Sequence, residues 1–115
     1  MSTAADIGVE RHGQSLVASL RGEVDMTNAS YVREELTGAI PNDVLSLVLD
    51  LTEARYLDSA AIEVLFELSR RLLRRRQTLH LVVPADSPLL RVLTLTDVAS
   101  VAPVHGSLAE ALAAI

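Results

Sequence analysis

Apolar residues along this chain fall alternately into short runs and helical stripes. Ile7 to Arg11 and Ser15 to Arg21 (SLVASLR) read as short strands, with Gly13 at the turn between them. Gly22 ends the second strand, and a polar bend, Glu23-Val24-Asp25-Met26, follows. Thr27 or Asn28 can cap a helix in which Ala29, Val32, Leu36 and Ile40 recur at helical spacing. Glu34 and Glu35 fall off that stripe onto a solvated face, and Pro41 stops the helix. Val44 to Leu51 (VLSLVLDL) is a nearly continuous apolar run, the mark of a central strand covered on both faces. A loop through Arg55-Tyr56-Leu57-Asp58 leads to the longest helical pattern, about Ser59 to Arg76, with Ala61, Leu65, Leu68 and Leu72 on one face. Leu79 to Val83 is a further buried strand ended by Pro84, and Ser87-Pro88 starts another helix. Val101 to Val104 is a short last strand. Ser107-Leu108-Ala109-Glu110 forms a capping box for a final helix.

The order β-β-α-β-α-β-α-β-α predicts an α/β domain: a mainly parallel sheet of about four to five strands with about four helices and right-handed crossovers. At 115 residues the chain reads as one domain spanning 1–115, with residues 1–6, small and polar, as a flexible N-terminus. The core is expected on one side of each helix, with Leu65, Leu68, Val48 and Val82 in it.

Composition narrows the chemistry. A net charge of −5 and a pI near 5.0 argue against a nucleic-acid partner, which calls for a basic footprint. No apolar run is long enough for a membrane span, and the start of the chain lacks the pattern of a signal peptide, so a cytoplasmic domain without stable membrane insertion is expected. There is no cysteine, hence no disulfide, zinc knuckle or thiol nucleophile. All ten basic residues are arginine, which closes every mechanism that needs a lysine.

The five glycines are scattered, without a dinucleotide fingerprint or phosphate loop. His12, His80 and His105 sit on three different elements and lack metal-ligand spacing, so no metal site is expected. Ser59 has no glycine two residues away on either side, as a nucleophile elbow requires, and no other catalytic constellation is present; the chain is not expected to be an enzyme. A phosphoryl-accepting receiver domain would place its aspartate where Asp50 lies, but it also needs an acidic pair after the first strand and a lysine. Asp50 is therefore read as a carboxylate capping a loop at a strand end. The run Arg70-Arg71-Leu72-Leu73-Arg74-Arg75-Arg76 is read as complementing the negative end of its helix dipole and pairing with nearby acids, with electrostatic docking as the rival reading.

Three segments carry a resemblance. The first is Leu20-Arg21-Gly22-Glu23-Val24-Asp25, followed by a helix opening with Asn28-Ala29. The second is Leu47-Val48-Leu49-Asp50-Leu51, then Tyr56-Leu57-Asp58-Ser59 at the start of the long helix. The third is Val83-Pro84-Ala85-Asp86-Ser87-Pro88-Leu89-Leu90-Arg91-Val92-Leu93. In this order and spacing, from about residue 7 to the C-terminus, the chain resembles the bacterial anti-sigma factor antagonists, the single-domain form of the STAS fold.

The resemblance implies a partner-switching protein. Such a protein binds an anti-sigma factor with serine kinase activity and frees the sigma factor held by it. Phosphorylation by that kinase inactivates the antagonist, and a phosphatase restores it. By position the phosphoacceptor is Ser59, and Asp25, Asn28, Asp58, Ser59, Ala60 and Ala61 form the partner-binding surface. ATP and its metal would sit on the kinase, so no cofactor is expected on this chain. The family usually has glycine where this chain has Ala61, so a methyl there is expected to narrow a partner's approach. Thr96-Asp97 stands where many members carry a Ser-Gly turn. The alternative is a STAS subunit of a transport or stress-signalling assembly that is never phosphorylated. A small ligand-binding module has no dedicated motif.

Overall fold

The computed structural model describes residues 5–115. Strands β1 (Ala5–His12) and β2 (Ser15–Val24) form an antiparallel hairpin, turned at Gly13, whose φ of +61° favours glycine. Helix α1 (Ala29–Ala39) leads to β3 (Ser46–Asp50), β4 (Ala54–Leu57) and the long helix α2 (Ser59–Arg74). Then come β5 (Thr78–Val82), α3 (Leu89–Leu95), a 3-10 turn (Val98–Ser100), β6 (Val104–His105) and α4 (Leu108–Ala113). The sheet runs β1-β2-β3-β5-β6, and all pairings after the hairpin are parallel. The α/β class and its mainly parallel sheet follow the expected order, with one strand added.

That added strand is β4, where the sequence pattern places a loop. Four residues with only Ala54 and Leu57 buried carry too little pattern to register. It is a strand because β2 outlasts β3: residues 15–19 of β2 pair with β3, and residues 22–24 pair with β4. Gly22 does not end β2 as expected. It adopts φ +96° beside a bulge between Gly22 and Glu23, and the strand continues to Val24 with a change of partner.

Other boundaries shift for local reasons. Ala5 and Asp6, expected in a flexible terminus, belong to β1 opposite Gly22 and Arg21 because the ten-residue β2 offers them a ladder; residues 1–4 of that expected segment lie outside the described residues. The last strand begins at Val104 rather than Val101. Pro103 has no N–H to donate, and its carbonyl accepts from the Leu81 amide at 2.8 Å to open the ladder.

The sheet has two unequal covers. Helices α1, α2 and α3 bury Leu16, Leu47, Leu49 and Leu81 on one face, where Leu65 and Leu68 also lie. Val48 and Val82 are equally buried but face the other way, forming with Val17 and Ala111 a small cluster beneath α4. The expected core residues are all inside, in two cores rather than one.

Helix α2 ends without glycine. Arg76 takes φ +59°, its amide bonds the Leu73 carbonyl at 3.0 Å, and the Gln77 amide bonds Leu72 at 2.8 Å, closing a Schellman motif. Gln77 is buried, and its Nε2 donates to the carbonyls of Pro41 and Val44 at 3.0 and 2.7 Å. The chain entering β3 is thereby tied to the chain entering β5.

Candidate functional site

The bend after β2 and the start of α2 meet through one carboxylate. Asp58 caps α2: its Oδ1 accepts from the Ala61 amide at 3.0 Å, and its Oδ2 accepts from the Met26 amide at 3.1 Å. Its own amide donates to the Val24 carbonyl at 3.2 Å. Residues 32 apart are thus held side by side, and Asp58 acts as a staple between two loops.

The bend itself is closed by side chains. Asp25 Oδ1 accepts from the Thr27 amide at 2.9 Å and from the Thr27 hydroxyl. These bonds, the hydroxyl first, hold the Asp25 carboxyl below the usual carboxylate range. Asn28 Oδ1 accepts from the Asp25 amide at 2.9 Å, and its Nδ2 donates to the Glu23 carbonyl at 3.0 Å. Asn28 stands at the N-cap position of α1 without donating or accepting a side-chain cap bond. Its amide wires the bend instead.

Ser59 is the first residue of α2, exposed, and its hydroxyl has no hydrogen bond among the described residues. The cap is Asp58, so the serine oxygen is left free at the positive end of a 16-residue helix. Two large apolar side chains stand in the same region. Met26 is 81% exposed and Tyr56 51%. Sequence reasoning leaves both out. A methionine inside a polar bend was the available signal for the first, while Tyr56 becomes visible only once β4 exists and pairs it with Glu23.

Of the residues expected to meet a partner, Ser59 is exposed and Asp25, Asp58 and Ala60 are partly exposed at the molecular surface. Asn28 and Ala61, at 5% and 3% exposure, are buried. Asn28 is spent on the bend. The Ala61 methyl, expected at the partner surface, packs in the main core beside Leu57 and Leu65.

The three histidines lie on three different strands, β1, β5 and β6. His80 and His105 come together on adjacent strands, Nδ1 to Nε2 at 3.1 Å, with ring centroids 5.3 Å apart. Burial, then the neighbouring His105, pushes the His80 pKa down. Among the described residues no group of three or more His, Asp or Glu side chains is placed to hold a metal ion. Asp50 caps its loop as read, accepting from the Thr52 amide at 3.0 Å. No helix among the described residues is long and apolar enough to cross a membrane.

The family model of the STAS domain matches residues 6–111. The chain belongs to the STAS domain family. Solved structures share the architecture of this STAS domain. An anti-sigma factor antagonist from Mycobacterium paratuberculosis superposes with a TM-score of 0.85 at 24% identity, over 96% of this chain and 93% of that one. A putative anti-sigma factor antagonist from Thermotoga maritima gives 0.81 at 18% identity, covering 95% and 93%. The Bacillus cell fate determinant SpoIIAA in its phosphorylated form gives 0.65 at 18%, covering 93% and 96%. No curated protein sequence matches the chain.

Proposed function

We propose that this STAS domain is an anti-sigma factor antagonist that works by binding rather than by catalysis. In a bacterial cytoplasm it docks on an anti-sigma factor with serine kinase activity through the surface around Ser59, and so frees a sigma factor. Phosphorylation of Ser59 switches it off, and a phosphatase resets it. The observation that carries the reading is the Ser59 hydroxyl: exposed, unbonded, and at a helix start already fastened by Asp58. Around it, Met26 and Tyr56 supply apolar area, and Asp25, Asp58 and Ala60 complete the rim. The phosphorylated neighbour supports the serine switch by fold alone.

The energetics favour a switch that spares the fold. A phosphate adds about −1.5 to −2 charges. The positive end of the α2 dipole favours such a charge by about 0.3–1 kcal/mol. A partner closing over the site must strip water from that dianion beside Asp58, which costs several kcal/mol, on the order of a hundredfold or more in affinity.

Incubating the protein with its kinase-type anti-sigma factor and ATP, then mapping phosphate by mass spectrometry, tests this reading. Label on Ser59 is expected, with Ser59→Ala binding constitutively and Ser59→Asp binding poorly while folded. Absence of label with an active cognate kinase moves the assignment to the permanent, unphosphorylated STAS subunit.

A further inference from the structure

At the other end of α2 lies a second surface, independent of the Ser59 reading. Arg70, Arg71 and Arg74 line one side of a cleft between α2 and α1, and Arg33 and Thr37 of α1 line the other. The cleft holds about 200 Å³ and is open to solvent. Glu67 is its one carboxylate, 3.9 Å from Arg33. Arg70, Arg71 and Arg74 form no ion pair among the described residues, although Glu67 stands three and four positions from the first two. The pairing with nearby acids expected of this run is therefore absent at these three arginines.

Four guanidinium groups against one carboxylate give this cleft an excess positive charge on a chain whose net charge is −5. Keeping exposed like charges together costs repulsion that the helix dipole repays only in the last turn, and Arg70 lies a turn further in. We infer that the α1–α2 cleft is a docking site for an acidic segment of a protein partner, its carboxylates bridged by Arg33, Arg70, Arg71 and Arg74. The choice of occupant follows from the cleft's form. The polar side chains lining it are all partly or fully exposed, and none is a buried anchor of the sort that encloses a small anion. Arg70 and Arg74 lie one turn apart, a spacing that suits successive carboxylates on one peptide, with planar forks able to take each in bidentate fashion. The overall acidity of the domain disfavours the larger polyanions, nucleic acid and acidic membrane, whose charge extends well beyond the cleft.

From Ser59 to Arg70 is about 16 Å along the helix axis. That is about two screening lengths at physiological salt, so charge at Ser59 is hardly felt in the cleft. A partner can hold this site whichever state the serine is in.

Fluorescence anisotropy with a labelled octaglutamate peptide at low and physiological salt tests the assignment. The wild-type protein should bind, more weakly as salt rises. Arg71→Glu/Arg74→Glu should lose about tenfold or more in affinity, while Arg91→Glu on α3 and Ser59→Asp leave binding unchanged. Circular dichroism establishes that the double variant is folded; if it is not, Arg71→Gln/Arg74→Gln takes its place with the same expected direction. Equal binding by the double variant, or none by the wild type at low salt, overturns the proposal. Tighter binding of an oligonucleotide or of phosphatidylserine vesicles than of octaglutamate overturns it as well.

Discussion

Helix α2 begins against a carboxylate and ends among guanidinium groups. At its N-terminal end Asp58 accepts from the Ala61 amide and reaches across to Met26, leaving the Ser59 hydroxyl free beside the exposed Met26 and Tyr56. At its C-terminal end the orphan carbonyls are met by backbone alone, through the left-handed Arg76, and the side chains of the last turns are free to gather charge. The N-terminal end spends side chains on structure and exposes one hydroxyl. The C-terminal end spends backbone and exposes Arg70, Arg71, Arg74 and Arg76. One helix can thus present two surfaces of opposite chemistry, because its two ends are finished by different means.

The largest effect should come from breaking what the two ends share. Leu65, 4% exposed, sits midway in the buried stripe. Leu65→Ala should cost about 2–5 kcal/mol by chemical denaturation, destabilising both ends alike. A loss under about 0.5 kcal/mol, the range of surface substitutions, would place the helix in a different rotation. Asp58→Ala should cost about 1–2 kcal/mol as a lost cap and release the bend at Met26, while octaglutamate binding at the far end persists. Loss at both ends would show that they are mechanically coupled.

Arg76→Gly sharpens the comparison from the other side. Glycine relieves the left-handed strain and should raise stability by about 0.5–1 kcal/mol, with no change in the behaviour of Ser59. The smallest effect is expected from Asp25→Asn: an amide oxygen can still accept from Thr27, so the melting temperature should hardly move, while partner binding weakens. Its signature is in acid. The depressed pKa of Asp25 contributes stability that is present above the unfolded value of 3.8 and is lost as pH falls through the lower folded value. In Asp25→Asn that part of the acid slope should vanish, and an unchanged slope would assign it to other carboxylates, Asp43 beside Arg11 first among them.

What was legible in the sequence was what is local. The α2 stripe, the Ser107 cap and the Asp50 cap each depend on residues within a turn or two, and each is present: the Ser107 hydroxyl accepts from the Glu110 amide at 3.1 Å, although Glu110 Oε1 accepts from the Gly106 amide at 3.3 Å instead of completing the box at Ser107. Ala61 is instructive because two readings competed. Helical spacing put it on the buried stripe and family resemblance put it at the partner surface, and the spacing is what the packing obeys. The illegible parts are long-range. Strand β4 exists because β2 has a free edge there, His80 meets His105 across 25 positions, and Met26 reaches the Ser59 region through a bond spanning 32. No periodicity carries such information.

Helix α4 has six residues, too few to persist as a helix without the sheet beneath it. It holds on through Ala111, Leu108 and Leu112 against Val17, Val48 and Val82, a far smaller contact than the opposite face makes. In hydrogen-exchange terms this is a shallow foldon: amides of α4 should exchange by detachment, at a fraction of the free energy needed to expose those of β3. Each detachment bares three valines of the central strands, so a chain cut after Gly106 would keep its sheet and gain a permanently sticky face.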